Sequence, residues 1–147
     1  MVRSIVAVIV SYLLMFALVF VAFTCAYLLM GADNAFKPRT YQASNRWMAM
    51  SFVVNIVIAI IAGFICAVIA KGGRAPVALA VVVFVLGLLL AIPSIMAQKA
   101  RLDMVRTGNV SNMDAMQRTR QPIWVPILFP FIGAAGVLIG GRLKRRG

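Results

Sequence analysis

No Asp, Glu, Lys, Arg or His interrupts four long apolar runs, Ser4–Met30, Trp47–Ala70, Ala75–Ala97 and Gln121–Gly141; the 15 Lys and Arg and the 3 Asp and Glu all lie between or beyond them. At ~1.5 Å per helical residue, each run is long enough to cross a hydrocarbon core of ~30 Å. In lipid every backbone polar group must be satisfied within the segment, so such runs are expected to be helices. The expected fold is an all-α integral membrane protein, a four-transmembrane-helix antiparallel bundle with short loops. The 147 residues leave no connection long enough for a second core, so the chain reads as a single membrane domain.

That charge pattern also excludes much chemistry. Ion pathways, proton relays and metal or haem sites within membranes rest on ionisable side chains, and these runs supply none. Neither a cofactor nor a metal site is expected, and Asp103 and Asp114 have no His, Cys or second carboxylate arranged with them. A net charge of +12 suggests nucleic acid in a soluble chain. Here the basic residues are scattered over five segments flanking the runs and carry no nucleic-acid-binding motif, so anionic lipid headgroups are the expected partner.

Arg3 ahead of an apolar stretch resembles the start of a secretory signal, but an uninterrupted run from Ser4 to Met30 far exceeds the ~7–15 residues of a signal's apolar region. The first run is therefore read as a retained span. Cys25 and Cys66 fall near opposite ends of their spans, about 25 Å apart along the membrane normal. A disulfide needs Cα atoms ~4.4–6.8 Å apart, so the two are read as small apolar residues.

Four spans place both termini on one side. Arg3, Lys71, Arg74, Arg142, Lys144, Arg145 and Arg146 share that side, crowded into short segments without an acid. The other side holds eight basic residues diluted through two longer loops containing Asp33, Asp103 and Asp114. Density rather than count favours both termini in the cytoplasm, with the protein in the inner (plasma) membrane of a bacterium. Gly72 and Gly73 are read as the positive-φ residues of a tight turn before Pro76. Ser111 and Asp114 have the spacing of a capping-box variant ahead of a short interfacial helix, and Asn109-Val110-Ser111 matches a glycosylation sequon. Trp47 and Trp124, with Tyr27 and Tyr41, are expected to anchor at the outer headgroup level, as Arg142, Lys144, Arg145 and Arg146 are at the inner one.

Because lipid tails are as apolar as Leu, helices in a bilayer need close backbone approach to associate. Small residues at four-residue spacing mark the expected contact faces: Ala59, Gly63 and Ala67 on span two, Gly87 and Ala91 on span three, Gly136 and Gly140 on span four. Span one offers only Ala7/Ser11 and Ala22/Ala26. Pro122, Pro126 and Pro130 recur every fourth residue and Pro93 interrupts span three; inside a helix, each proline frees the carbonyl four residues earlier. With Asn55, Ser51, Thr24 and Tyr27 at similar depth, Pro93, Pro126 and Pro130 frame a candidate polar pocket in the outer half. The simpler reading of Asn55 is an interhelical hydrogen bond.

Small four-span multidrug exporters use an acidic residue in the first span, and disulfide-generating membrane oxidoreductases use paired cysteines near the outer face; neither pattern is present. The expected role is a non-catalytic structural or accessory subunit that packs with other membrane-protein subunits or with itself. The alternative is a small transporter or channel with a neutral pathway.

Overall fold

In the computed structural model the described residues are 2–71, 74–100, 105, 107–108 and 110–146, with the side chains of Arg145 and Arg146 excepted. Gly72, Gly73, Asp103 and Asn109, named above for a turn, a loop acid and a sequon, lie outside them. The chain forms α1 (Val2–Ala35), α2 (Asn45–Ala70), α3 (Ala75–Lys99), the short α4 (Asn112–Arg118) and α5 (Trp124–Arg146). Four of these, α1, α2, α3 and α5, are long and apolar enough to cross a membrane.

Helix boundaries follow local chemistry. Gly31, one residue beyond the first apolar run, breaks α1 with φ 71° and ψ 166°, a combination open essentially to glycine alone. Ser44 caps α2 by accepting from the Trp47 N–H at 3.1 Å. Lys71 takes the left-handed conformation that ends α2, its N–H turned back to the Ala67 and Val68 carbonyls. Pro76 stands in the first turn of α3, where its missing N–H costs nothing. Ser111 caps α4, accepting from the Asp114 N–H at 3.2 Å.

The last span starts at Trp124 rather than Gln121. Pro122 precedes it, and its carbonyl accepts from the Val125 N–H at 2.9 Å, so this oxygen is not orphaned as the proline spacing suggests. Pro126 falls in the first turn, where no intrahelical donor is lost. Pro130 and Pro93 alone of the span prolines sit inside helices.

The core lies where α2 and α5 meet, with Phe52 stacked on Trp124 at one end and Ala59 against Gly136 further along. Their numbering rises together, so the two run in the same direction. A Cβ on Gly63 would overlap the Val137 carbonyl oxygen, one on Gly140 the Ile60 carbonyl oxygen, and one on Gly136 would come 2.6 Å from the Ala59 Cβ. Ala59 and Ala67 are buried with them. α3 closes on α5 through Gly87 against Pro130 and Pro76 against Gly141, and Ala91 is buried on the same helix. α1 lies along α2, with Arg3 Nε donating to the Ile69 carbonyl at 2.9 Å and Phe23 beside Trp47 at the far end. Ala7 and Ser11, the weak small pair, are fully buried, whereas Ala22 and Ala26 are partly buried.

Beyond the ends of α1 and α2, the loops interlock into a cap. Lys37 N–H donates to Gln42 O (2.9 Å) and Ser44 N–H to Ala35 O (2.8 Å), closing the first loop. Ala43 N–H reaches Arg120 O at 2.7 Å and Arg120 N–H reaches Tyr41 O at 2.8 Å, tying that loop to the segment entering α5. Phe36, Tyr41, Trp47 and Ala115 are buried beneath.

A candidate interhelical cleft around Asn55

A cavity of about 320 Å³ lies between all four long helices. α2 contributes Asn55; α5 contributes Pro126, Phe129, Pro130 and Gly133; α3 contributes Val83, Gly87, Leu90, Ala91 and Ser94; α1 contributes Tyr12, Met15, Phe16 and Val19. The volume is at the small end of the ~300–1,000 Å³ of ligand pockets, and the mostly apolar lining with few polar groups is the common pattern for one.

Its polar side chains are Tyr12, Ser94 and the Asn55 carboxamide. Asn55 stands ten residues into α2, ~15 Å from the helix start. Its Oδ1 is buried and accepts no hydrogen bond from the protein, and a Cβ built on Gly133 would lie 3.8 Å from it. Asn55 Oδ1 therefore makes no interhelical hydrogen bond. Glycine at 133 and 87 keeps the wall thin: a Cβ at Gly87 would come 2.8 Å from the Pro130 ring, and one at Gly133 would come 3.1 Å from Val83 Cγ1. Pro130, inside α5, removes the N–H that would pair with the Pro126 carbonyl.

The cleft collects Asn55, Pro126 and Pro130 from the expected pocket, together with Gly87 and Ala91 from the expected packing set. The remaining pocket candidates are placed elsewhere. Ser51 Oγ is fully buried and donates to the Trp47 carbonyl of its own helix at 2.7 Å. Thr24 Oγ1 accepts from Asn112 Nδ2 at 3.1 Å, and Tyr27 donates its hydroxyl to the Val110 carbonyl at 2.6 Å; both hold the cap to α1. Pro93 interrupts α3 beside the cleft but is not among its lining residues.

The aromatic anchors also divide. Trp124 is exposed and stacked on Phe52, free to face a headgroup layer. Trp47 is buried, held at 5.7 Å from the Phe23 ring and edge-on to Tyr27 at 6.2 Å, so it serves the cap's core instead. Tyr41 is buried too, with the Arg118 guanidinium 5.9 Å from its ring centre. Arg142 and Lys144 are exposed at the end of α5, while the Arg145 and Arg146 side chains lie outside the described residues.

No protein family, curated protein or solved structure matches the chain.

The four α1 residues in the cleft were not singled out from the sequence. Tyr12, Met15, Phe16 and Val19 follow a spacing of three, one and three, the face of a helix, but apolar side chains within an apolar run give no contrast.

Proposed function

We propose that this chain is an integral membrane protein whose four long helices form an antiparallel bundle, with both termini in the cytoplasm of a bacterium. Its proposed role is as a non-catalytic structural or accessory subunit. The observation that carries this reading is the outer face of α1. That helix buries about half the share of itself that α2 or α3 does. It turns Ala7 and Ser11 inward and leaves Val2, Ile5, Val6, Ile9, Val10 and Leu13 exposed. Within that face Val2, Val6, Ile9 and Leu13 follow the alternating four-and-three spacing at which a second helix can pack knobs into holes. The lack of ionisable side chains in the spans fits a packing role, which asks only for shape.

A photo-crosslinking amino acid at Leu13, in protein expressed in its native membrane, tests this. A discrete adduct with a second polypeptide, another subunit or a second copy, is expected, along with its co-purification in mild detergent. Adducts with lipid alone would overturn the subunit reading.

A second reading, a transporter whose pathway within the spans is neutral, is favoured by a further cavity of about 260 Å³ lined by Gln42, Gln98 and Gln121 with Ile95, Pro122 and Ile123, and by Arg120, its one charged side chain, which lies outside the spans. Ile95 of this cavity directly follows Ser94 of the cleft along α3, and its Pro122 stands four residues ahead of Pro126. Solute flux into liposomes above that of empty vesicles would support it, and absence of flux for ions and small metabolites would contradict it.

A further inference from the structure

We propose that the Asn55 cleft is a binding site for an uncharged long-chain lipid alcohol, whose hydroxyl donates to Asn55 Oδ1 while its chain lies against α1 and α3. The proposal rests on the membrane placement given above and not on the subunit role.

Three observations lead to that ligand chemistry. The first is the mouth. Phe16 of α1 and Leu90 of α3 line the cavity and are also 68% and 64% exposed, so it opens sideways between these helices. α1 and α3 touch each other more sparsely than α3 touches α5 or α1 touches α2. In a bilayer that opening faces acyl chains rather than water, and a ligand would enter from the lipid.

The second is the buried acceptor without a donor. A buried carboxamide oxygen without a donor is costly, and an O–H brought by a ligand would satisfy it. An ester or ether chain brings no donor and would leave Asn55 Oδ1 unsatisfied.

The third is depth and charge. Asn55 lies ~15 Å into α2, near the middle of a ~30 Å core. A phosphate or carboxylate head drawn to that depth would be strongly disfavoured, and none of the cleft-lining residues is a cation to receive it. An uncharged hydroxyl carries no such penalty once it is hydrogen-bonded.

The test uses the full chain reconstituted in phosphatidylcholine vesicles, with flotation after an alkaline wash scored first. Failure to float would contradict the membrane placement, and with it this proposal. On floated protein, hexadecanol carrying a mid-chain diazirine is photolysed and the adducts mapped; its methyl ether, bearing the same diazirine, is run in parallel. The expected result is saturable labelling in Tyr12–Val19 or Val83–Ser94, competed by plain hexadecanol and about five- to tenfold weaker for the ether, the range of one net hydrogen bond. Asn55→Leu should bring alcohol labelling down to the level of the ether. Equal labelling of the wild type by alcohol and ether would overturn the proposal even if the variant failed to fold. So would alcohol labelling that is unchanged in a folded Asn55→Leu protein.

Discussion

Gly140 rests so closely on Ile60 that a side chain at 140 would overlap the Ile60 carbonyl oxygen and crowd the Phe64 nitrogen 2.8 Å away. The obstacle is backbone, which cannot rotate aside. Gly140→Ala is therefore expected to force α2 and α5 apart and lower stability by about 1–3 kcal/mol, the usual range for overpacking. Thermal unfolding followed by circular dichroism in detergent checks this. A melting temperature equal to wild type would mean the two helices are not in backbone contact.

Gly31 presents the opposite case. A Cβ there would meet no atom within 4 Å, but its φ of 71° is a conformation that side-chain-bearing residues avoid. Gly31→Ala should cost about 1–3 kcal/mol through backbone strain alone. Because the strain is local to the end of α1, hydrogen exchange should rise around Ala32–Ala35 while the α2–α5 core keeps its protection.

Tyr27→Phe retains the ring packed at 6.2 Å from Trp47 and 6.4 Å from Phe36 but deletes the donor to Val110 O. A loss of about 1 kcal/mol is expected. Faster hydrogen exchange in α4 and Val110, with the long helices unaffected, would show that this hydroxyl pins the cap.

The presence of four long helices was legible in the sequence, because apolar runs of that length without charges are expected to be helical in lipid; their ends were not, α1 running on to Ala35 and α5 starting only at Trp124. Gly136 and Gly140 were legible as contact residues for a related reason: glycine four residues apart serves close approach and little else. Their partner was not. Span four could have packed on either neighbour, and only the positions of Val137 and Ile60 against Gly63 and Gly140 show the nonconsecutive α2–α5 pair at the centre. Polar residues at one depth suggested one pocket, but depth leaves rotation about the helix axis open. Ser51 is turned into its own helix, Thr24 and Tyr27 toward the cap, and Asn55 toward Gly133. Trp47 shows the same limit, since its position at a span end fits both an anchor in lipid and the buried place it takes beside Phe23.

Asn55→Leu is expected to leave thermal stability in lipid-free detergent unchanged or raised by about 1 kcal/mol, because the oxygen it removes is buried without a donor. A clear loss of stability would mean that Asn55 holds two helices together through a hydrogen bond.

In the proposed arrangement the long helices cross a bilayer with the cap on the outer side and the α2–α3 and carboxy-terminal ends in the cytoplasm. Single cysteines at Lys37, Lys71, Val110 and Leu143, in a background lacking Cys25 and Cys66, test it with a membrane-impermeant thiol reagent on intact cells. Labelling at Lys37 and Val110, with Lys71 and Leu143 reacting only after permeabilisation, is the predicted result. Labelling at Lys71 with Val110 protected would contradict the orientation, and equal labelling at all four sites in sealed cells would contradict the spanning fold itself.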